Sequence, residues 1–447
     1  MLDYEVDRFR DPVHGFIEVR PWEKKIIETR AFQRLRHIKQ LALTNYVYHG
    51  AEHTRFGHSL GVMELATRAF RSAVGKHRYK FSNSDRENKK KIEWLEQILR
   101  LIALTHDLGH APFSHAAEDL FGARKDEKGR TIKISHEDMT REIILHTEIG
   151  DIIREAGKYF KKKHGKKYDI TPEMICDIYS GNNIGDNSEF MFLNLFMDSE
   201  LDCDKMDYLL RDSLYCGVSY GKYDLARLIS CLTIYTGADN KSPRLGIESG
   251  GIRAFEAFVL ARYFMFVDVY FHRTRRYYDI ILSKALKQCL PEGIFPSNVE
   301  QYLNWDDNKV MELLKAKSNI NEYAKSIVLR QHWSCVYETP THPGHGGRDI
   351  FNIVNNDFKR KFRKDYDTKC LEDESAVKFP HKIIPQRYDL EDPNTIAIID
   401  KETDRVSTIA DESLIIRSLT EKIDIRRIYV HPSIRKRAET LVKTIEG

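Results

Sequence analysis

The stretch Leu104–His115, LTHDLGHAPFSH, constrains this chain more than any other. It sets His106 beside Asp107 and follows them with His110 and His115. His–acid neighbours also arise by chance in a chain with 18 His and 67 acidic residues, so the placement of this pair is what gives it weight. The run leading in, IEWLEQILRLIALTHDLG, has apolar residues at Ile92, Leu95, Leu99 and Ile102, and the next step of that helical spacing lands on His106. A helix that buries this stripe carries His106 inward, and Gly109 and Pro112 are expected to supply a stop and a restart. An isolated His on an apolar face is ordinarily a hydrogen-bonded core residue. Here an ionisable neighbour follows at once, and His110 lies one turn further on. A buried His–Asp pair needs a cation or a dense hydrogen-bond network to offset desolvation, and a metal site is the more economical account.

The remaining features bound the class of protein. With 447 residues, 41% of them hydrophobic, the chain can bury a large core, and a net charge of +4 neither demands nor excludes a polyanionic partner. Seven scattered cysteines without a CxxC argue for reduced thiols and against a Cys-rich zinc site. The start, MLDYEVDRFRDP, lacks a signal-peptide core, and the most apolar segment, Ala254–Phe271, contains Glu256, Arg262 and Asp268. A soluble cytoplasmic protein with no membrane span is expected.

Along the chain, residues 1–20 read as an extended segment and a turn. Helices are expected over 21–42, 59–74, 92–108, 113–121, 136–157, 172–180, 189–197, 200–213, 223–235, 251–289, 298–304 and 307–330. Residues 75–91 read as a solvated connection. The character changes near Gln331: HWSCVYET reads as a strand, THPGHGGRD as a Gly/Pro loop, and IAIID and RRIYVHP as strands between helices. The expected architecture is mainly α, a helical domain over residues 1–330 with a smaller C-terminal α/β (α+β) module over 331–447.

Nine of the 18 histidines lie between His37 and His136. Upstream, AEHTRFGHSLGV offers His53, Arg55 and His58; downstream, SELDCDKMDYLLRD sets Asp204, Tyr208 and Asp212 on one helical face with Lys205 beside them. His58, His106, Asp107 and Asp204 together make a mixed nitrogen and oxygen set that suits Fe, Mn, Zn, Co or Mg without choosing among them. Such a metal can acidify water and orient a phosphoryl oxygen, while Arg55, Lys205 and further histidines neutralise gathering charge. Metal-assisted phosphate-ester hydrolysis follows.

The pattern H…HD…D, with FRDPVHGFIEV, FQRLRHIKQL, HTRFGHSLGV, THDLGHAPFSH, SHED and DCDKMDYLLRD in that order, resembles the deoxynucleoside triphosphate triphosphohydrolase branch of the HD-domain phosphohydrolases. The resemblance is dense from residue 9 to about 225. It implies a helical HD core in which His58, His106, Asp107 and Asp204 hold the metal. His115 would protonate the leaving O5′, oriented by Glu118, and Arg55, His110, His136 and Lys205 would bind phosphates. Gln40, Tyr208 and Asp212 would hold the sugar, Leu41 would crowd a ribose 2′-hydroxyl, and Arg276 with Tyr277 would stand near the base. Glu28, Gln33 and Arg36 match the positions that read a (d)GTP effector in nucleotide-activated relatives. The resemblance further implies a dNTP substrate and a homotetramer or other homo-oligomer. An HD phosphohydrolase acting on another nucleotide or on single-stranded nucleic acid, and a nucleotide-sensing regulator with an idle site, are the alternatives.

Overall fold

A computed structural model describes residues 4–76, 80–125, 129–181, 188–236, 243–376, 390, 396–403, 405–419 and 423–446. The chain opens with a hairpin, β1 (Asp7–Asp11) and β2 (Gly15–Val19), whose turn is set by the Asp11 side chain accepting from the backbone of Val13 and His14. Helix α1 (Pro21–Glu28) follows. Two long helices, α2 (Arg55–Val74) and α3 (Asp85–Thr105), then pack along each other and form the spine of the core, and α3 buries Leu95, Leu99 and Ile102 as the apolar stripe requires. Helices α4 (His136–His146), α5 (Glu148–His164) and α6 (Pro172–Tyr179) lie on the α3 side, and α7 (Cys203–Cys216) lies against α2.

Most departures from the expected helices share one cause. A side chain caps a new helix in the middle of an apolar pattern that keeps its phase, so periodicity runs on while the backbone breaks. Thr29 ends α1 and accepts from Phe32 N, which divides the helix expected over 21–42. Thr147 separates α4 from α5, and Asn321 splits the segment expected as 307–330 into Asp307–Lys317 and Glu322–Val328. The segment 251–289 becomes α8 (Ile252–Phe264), a π-helical turn over Met265–Tyr270, and α9 (Arg273–Cys289), with His272 capping the last. In 75–91, Ser84 starts α3 earlier than expected.

The sheets bring further corrections. Residues expected to extend a helix over 223–235 turn at Cys231 into β3 (Leu232–Thr236), which pairs antiparallel with β4 (Pro243–Glu248). β4 also pairs in parallel with β7 (Ala397–Ile399), and β7 pairs antiparallel with β8 (Val406–Thr408), giving the order β8-β7-β4-β3. Residues on both sides of position 330 therefore build one sheet. The second sheet has β9 (Asp424–Val430) between β5 (Ser334–Glu338) and β6 (Cys370–Ala376). The segment expected as a Gly/Pro loop instead enters helix α10 at Gly344 and runs to Phe362. Burial of Phe351, Val354, Phe358 and Phe362 in a small second core with Ile428 and Val430 outweighs the poor helix propensity of its glycines. Helix α11 (Arg435–Glu446) closes the module. The fold is mainly α with a small α/β portion, as the pattern implied.

One buried ionic cluster fixes the hairpin and α1 to α3. Glu23, fully buried, accepts from Arg100 Nε at 2.7 Å and Arg100 Nη2 at 2.5 Å, and Arg100 also reaches Glu18 O and Thr67 Oγ1 at 2.7 Å each. Burial opposes the charged form of Glu23, but the Arg100 and Arg20 guanidiniums hold its pKa down at about 2. A carboxylate depressed in this way contributes stability above its unfolded pKa and loses it as pH falls through the folded value. The contribution should fade between about pH 5 and pH 2 and amount to about 3 kcal/mol. Urea unfolding of the wild type and Glu23→Gln across that range should show the wild type losing about 3 kcal/mol more than the variant. Parallel acid profiles would remove Glu23 as the cause.

Candidate active site

The candidate ligands reach one point from three elements. His58 sits in the first turn of α2, His106 is the residue at which α3 ends, and Asp204 lies in the first turn of α7. One ligand atom from each falls within 4.8 Å of the others, and His58 Nε2 is 2.8 Å from Asp204 Oδ1. Asp107 adjoins them: its Oδ1 is 3.2 Å from both His106 Nε2 and His110 Nε2, and its Oδ2 is 3.7 Å from His58 Nε2.

Each imidazole is committed on one side and open on the other. His58 Nδ1 donates to Asp207 Oδ2 at 2.7 Å, and His106 Nδ1 donates to Ala103 O at 2.8 Å. These bonds place the protons on Nδ1 and leave both Nε2 lone pairs aimed inward, where neither buried atom has a hydrogen-bond partner among the described residues. Orphaned nitrogens beside two carboxylates are the donor set a divalent cation takes. Burial penalises the Asp107 carboxylate, yet the Arg55 guanidinium beside it holds its pKa well below the usual range.

The segment after α3 is shaped by packing as much as by chain reversal. A Cβ on Gly109 would collide with His136 O and Thr140 N, so α4 can approach only because position 109 has no side chain. Gly109 N donates to Thr140 Oγ1 at 2.9 Å, and Thr140 Oγ1 reaches His106 O at 3.1 Å. Gly109 thus works through close approach, and the helix stop expected beside it falls at His106. The left-handed turn falls instead on Phe113 and Ser114, at φ 58° and 54°, a conformation that costs non-glycine residues about 1–3 kcal/mol each. Phe113 N is held by Asp307 Oδ1 at 2.7 Å, and Ser114 Oγ joins Lys39 O and Arg55 Nε at 2.8 Å each.

That turn delivers His115. Its Nδ1 lies 2.9 Å from Glu118 Oε2, while Glu118 Oε1 accepts from His136 Nδ1. His110 stacks on His136 at 4.0 Å between ring centroids. Burial would raise the Glu118 carboxyl, but its two histidine partners hold it far below the carboxylate range. One ionised carboxylate therefore orients two imidazoles, one more than expected from sequence. Burial, with Arg55 and His136 nearby, keeps His110 neutral.

His106, Asp107, His110, His115, His136 and Asp204 line a cavity of about 450 Å³ together with Gln40, Arg55, Lys205 and Tyr208. Both expected phosphate-binding cations already have partners: Arg55 Nη1 pairs with Asp107 Oδ2 at 2.6 Å, and Lys205 Nζ pairs with Asp202 and donates to Ser199 O at 3.0 Å. Tyr179, Asp198 and Asp202 also line the cavity and were not anticipated. Asp202 was legible as the N-cap of α7, since it accepts from Lys205 N at 2.7 Å.

Four expected substrate contacts are not among the lining residues. Asp212 is buried one turn beyond Tyr208, where His53 Nε2 and Tyr270 OH, each at 2.7 Å, occupy its carboxylate. Leu41 is buried in the main core beside Gln40. Arg276 is drawn away by Asp373, 2.8 Å from its Nη2, and Tyr277 is fully buried among Tyr278, Trp333 and Tyr429. Of the expected effector residues, Arg36 Nε donates to Gln33 Oε1 at 2.8 Å, while Glu28 is exposed at the end of α1.

The model for the HD domain matches residues 55–179, and that for the HD associated region matches residues 223–337. The chain is 37% identical over 292 residues to Uncharacterized protein YwfO of Bacillus subtilis, covering 64% of this chain and 57% of that protein. It is 32% identical over 251 residues to Deoxynucleoside triphosphate triphosphohydrolase SAMHD1 of Gallus gallus, covering 52% of this chain and 38% of that protein. The crystal structure of a hypothetical protein from Aquifex aeolicus has a TM-score of 0.75 at 30% identity, covering 98% of this chain and all of that one. The chain spans about half the length of the curated relatives it matches. The chain carries an HD domain over residues 55–179, within which His58 and His106 converge with Asp204 into a group able to hold a divalent metal.

His106→Ala removes one of the two open imidazoles and should abolish stoichiometric metal retention after dialysis, read by elemental analysis. Retention at the wild-type level would refute the ligand assignment.

Proposed function

We propose that this HD-domain protein hydrolyses deoxynucleoside triphosphates to a deoxynucleoside and inorganic triphosphate. The observation that carries the reading is the placement of His115, oriented by Glu118, at the cavity lined by His106, Asp107 and Asp204, with His58 behind Asp204. A nucleotide-sensing module needs neither a positioned acid nor a metal set beside it. The relatives named as deoxynucleoside triphosphate triphosphohydrolases support the choice of substrate.

In this reading His58, His106, Asp107 and Asp204 hold a divalent cation, which supplies Lewis acidity toward water and a phosphoryl oxygen. A water oxygen forms a bond to the α-phosphorus, and the bond from that phosphorus to O5′ breaks. His115 delivers a proton from Nε2 to O5′ while Glu118 accepts from Nδ1, so the deoxynucleoside leaves neutral. The proton lost by water passes to solvent, and the triphosphate keeps the phosphate charge. Arg55, His110, His136 and Lys205 face the phosphates; Arg55 and Lys205 would share their existing carboxylate partners with the incoming anion. Gln40 and Tyr208 face the sugar. Gln33 and Arg36, already joined, would receive a (d)GTP effector with Glu28, and the active form is a homo-oligomer. Seven free cysteines accord with a cytoplasmic protein.

Metal-loaded protein given single dNTPs and then mixtures should release inorganic triphosphate; activity confined to mixtures indicates effector control. Pyrophosphate or phosphate as the primary product, or no turnover with any of the five metals, overturns the reading. His115→Ala should keep its metal and lose about 10²- to 10⁴-fold in turnover. Loss of metal in that variant would refute its role as the acid.

A further inference from the structure

The α7 residue Asp207 reaches the metal centre without facing the cavity. Its carboxylate is fully buried and has four donors: His58 Nδ1 at 2.7 Å, His14 Nε2 at 2.6 Å, and Arg211 Nε and Nη2 at 2.8 and 2.9 Å. Arg211 continues to Asp11, with Nη1 2.9 Å from Oδ2, and Asp11 Oδ1 accepts from Val13 N and His14 N. A chain of polar contacts thus runs from the β1–β2 turn through Asp207 to the ring of His58. Room for it is provided by α2: a Cβ on Gly61 would collide with Asp207 Oδ1 and Arg211 Nη2. A salt bridge made only to stabilise the fold needs no imidazole from a metal-ligand pair, nor a second imidazole from a hairpin turn.

Resting on the metal-centre reading above, we propose that Asp207 and His14 are positioning residues for His58. Asp207 fixes the tautomer and ring angle of His58 by accepting from its Nδ1, and His14 holds the free edge of the same carboxylate, which ties metal retention to the hairpin. A carboxylate behind a ligating imidazole raises ligand basicity and removes the freedom of the ring to rotate, and losing such a partner costs about 10- to 100-fold in metal affinity. Arg211 supplies the counter-charge that keeps Asp207 ionised in a buried position.

The test is Mn²⁺ and Zn²⁺ affinity of the full chain by chelator competition, with thermal unfolding of the metal-free protein measured in parallel. Asp207→Asn should bind about 10- to 100-fold more weakly. Because that change leaves Asp11 as the one carboxylate on the buried Arg211 and can compromise folding, His14→Ala and His14→Gln provide the second arm. His14→Ala should weaken metal binding by more than any change in metal-free stability accounts for, and His14→Gln, whose amide can still donate to Asp207, should restore part of it. Wild-type affinity in both His14→Ala and a folded Asp207→Asn overturns the proposal and leaves the metal centre intact. A wild-type protein that binds none of Mn²⁺, Zn²⁺, Fe²⁺, Co²⁺ and Mg²⁺ overturns the centre itself, and this proposal with it.

Discussion

Two buried imidazoles whose rings lie 5.3 Å apart must each find a proton acceptor on one nitrogen and keep the other bare. That requirement organises the molecule. His106 meets it with its own helix, because ending α3 at that residue leaves Ala103 O as a local acceptor. His58 cannot do so in the first turn of α2, and its acceptor comes from α7 across the core. The packing of α2 between α3 and α7 is therefore a chemical necessity as well as a hydrophobic one.

The charges around this pair obey a simple balance. Asp11, Asp107, Asp204 and Asp207 bring four negative charges, and Arg55 and Arg211 bring two positive ones. Two negative charges are left over where the ligand set meets the cavity, which one divalent cation would neutralise. Lys205 does not enter the balance, since Asp202 already matches it. The same principle holds at Glu23 and Arg100, a buried pair matched charge for charge that seats the hairpin and α1 on α3.

What the sequence made legible follows from how local each determinant is. His106 could be assigned to a buried face because its helix is long and its stripe regular, and Asp204 because its neighbours repeat at helical spacing. Asp207 stands in the same helix but one residue off that stripe, and the acceptor it provides is recognisable only once α2 has packed against α7. The placement of Arg276 was hidden for the converse reason: its guanidinium pairs with Asp373, 97 positions away, outside the cavity lining. Helix ends were misread wherever a capping Thr or Asn interrupted an apolar repeat without shifting its phase. Helix α10 was missed because its glycines and proline dominated the local reading, while its apolar residues acquire meaning only against β9.

The sheet shared across position 330 limits how such a chain can vary. β4 is hydrogen-bonded on one side by its hairpin partner and on the other by three residues that arrive some 150 positions later, Ala397–Ile399. Remove that late segment and the inner edge of β4, with Ile247 and Glu248 both buried, becomes a naked row of amides and carbonyls, the kind of surface on which chains join one another. The C-terminal portion is thus not an appendage that evolution could exchange freely. Any replacement would have to bring its own strand to the same register, so the two halves are bound to diverge together.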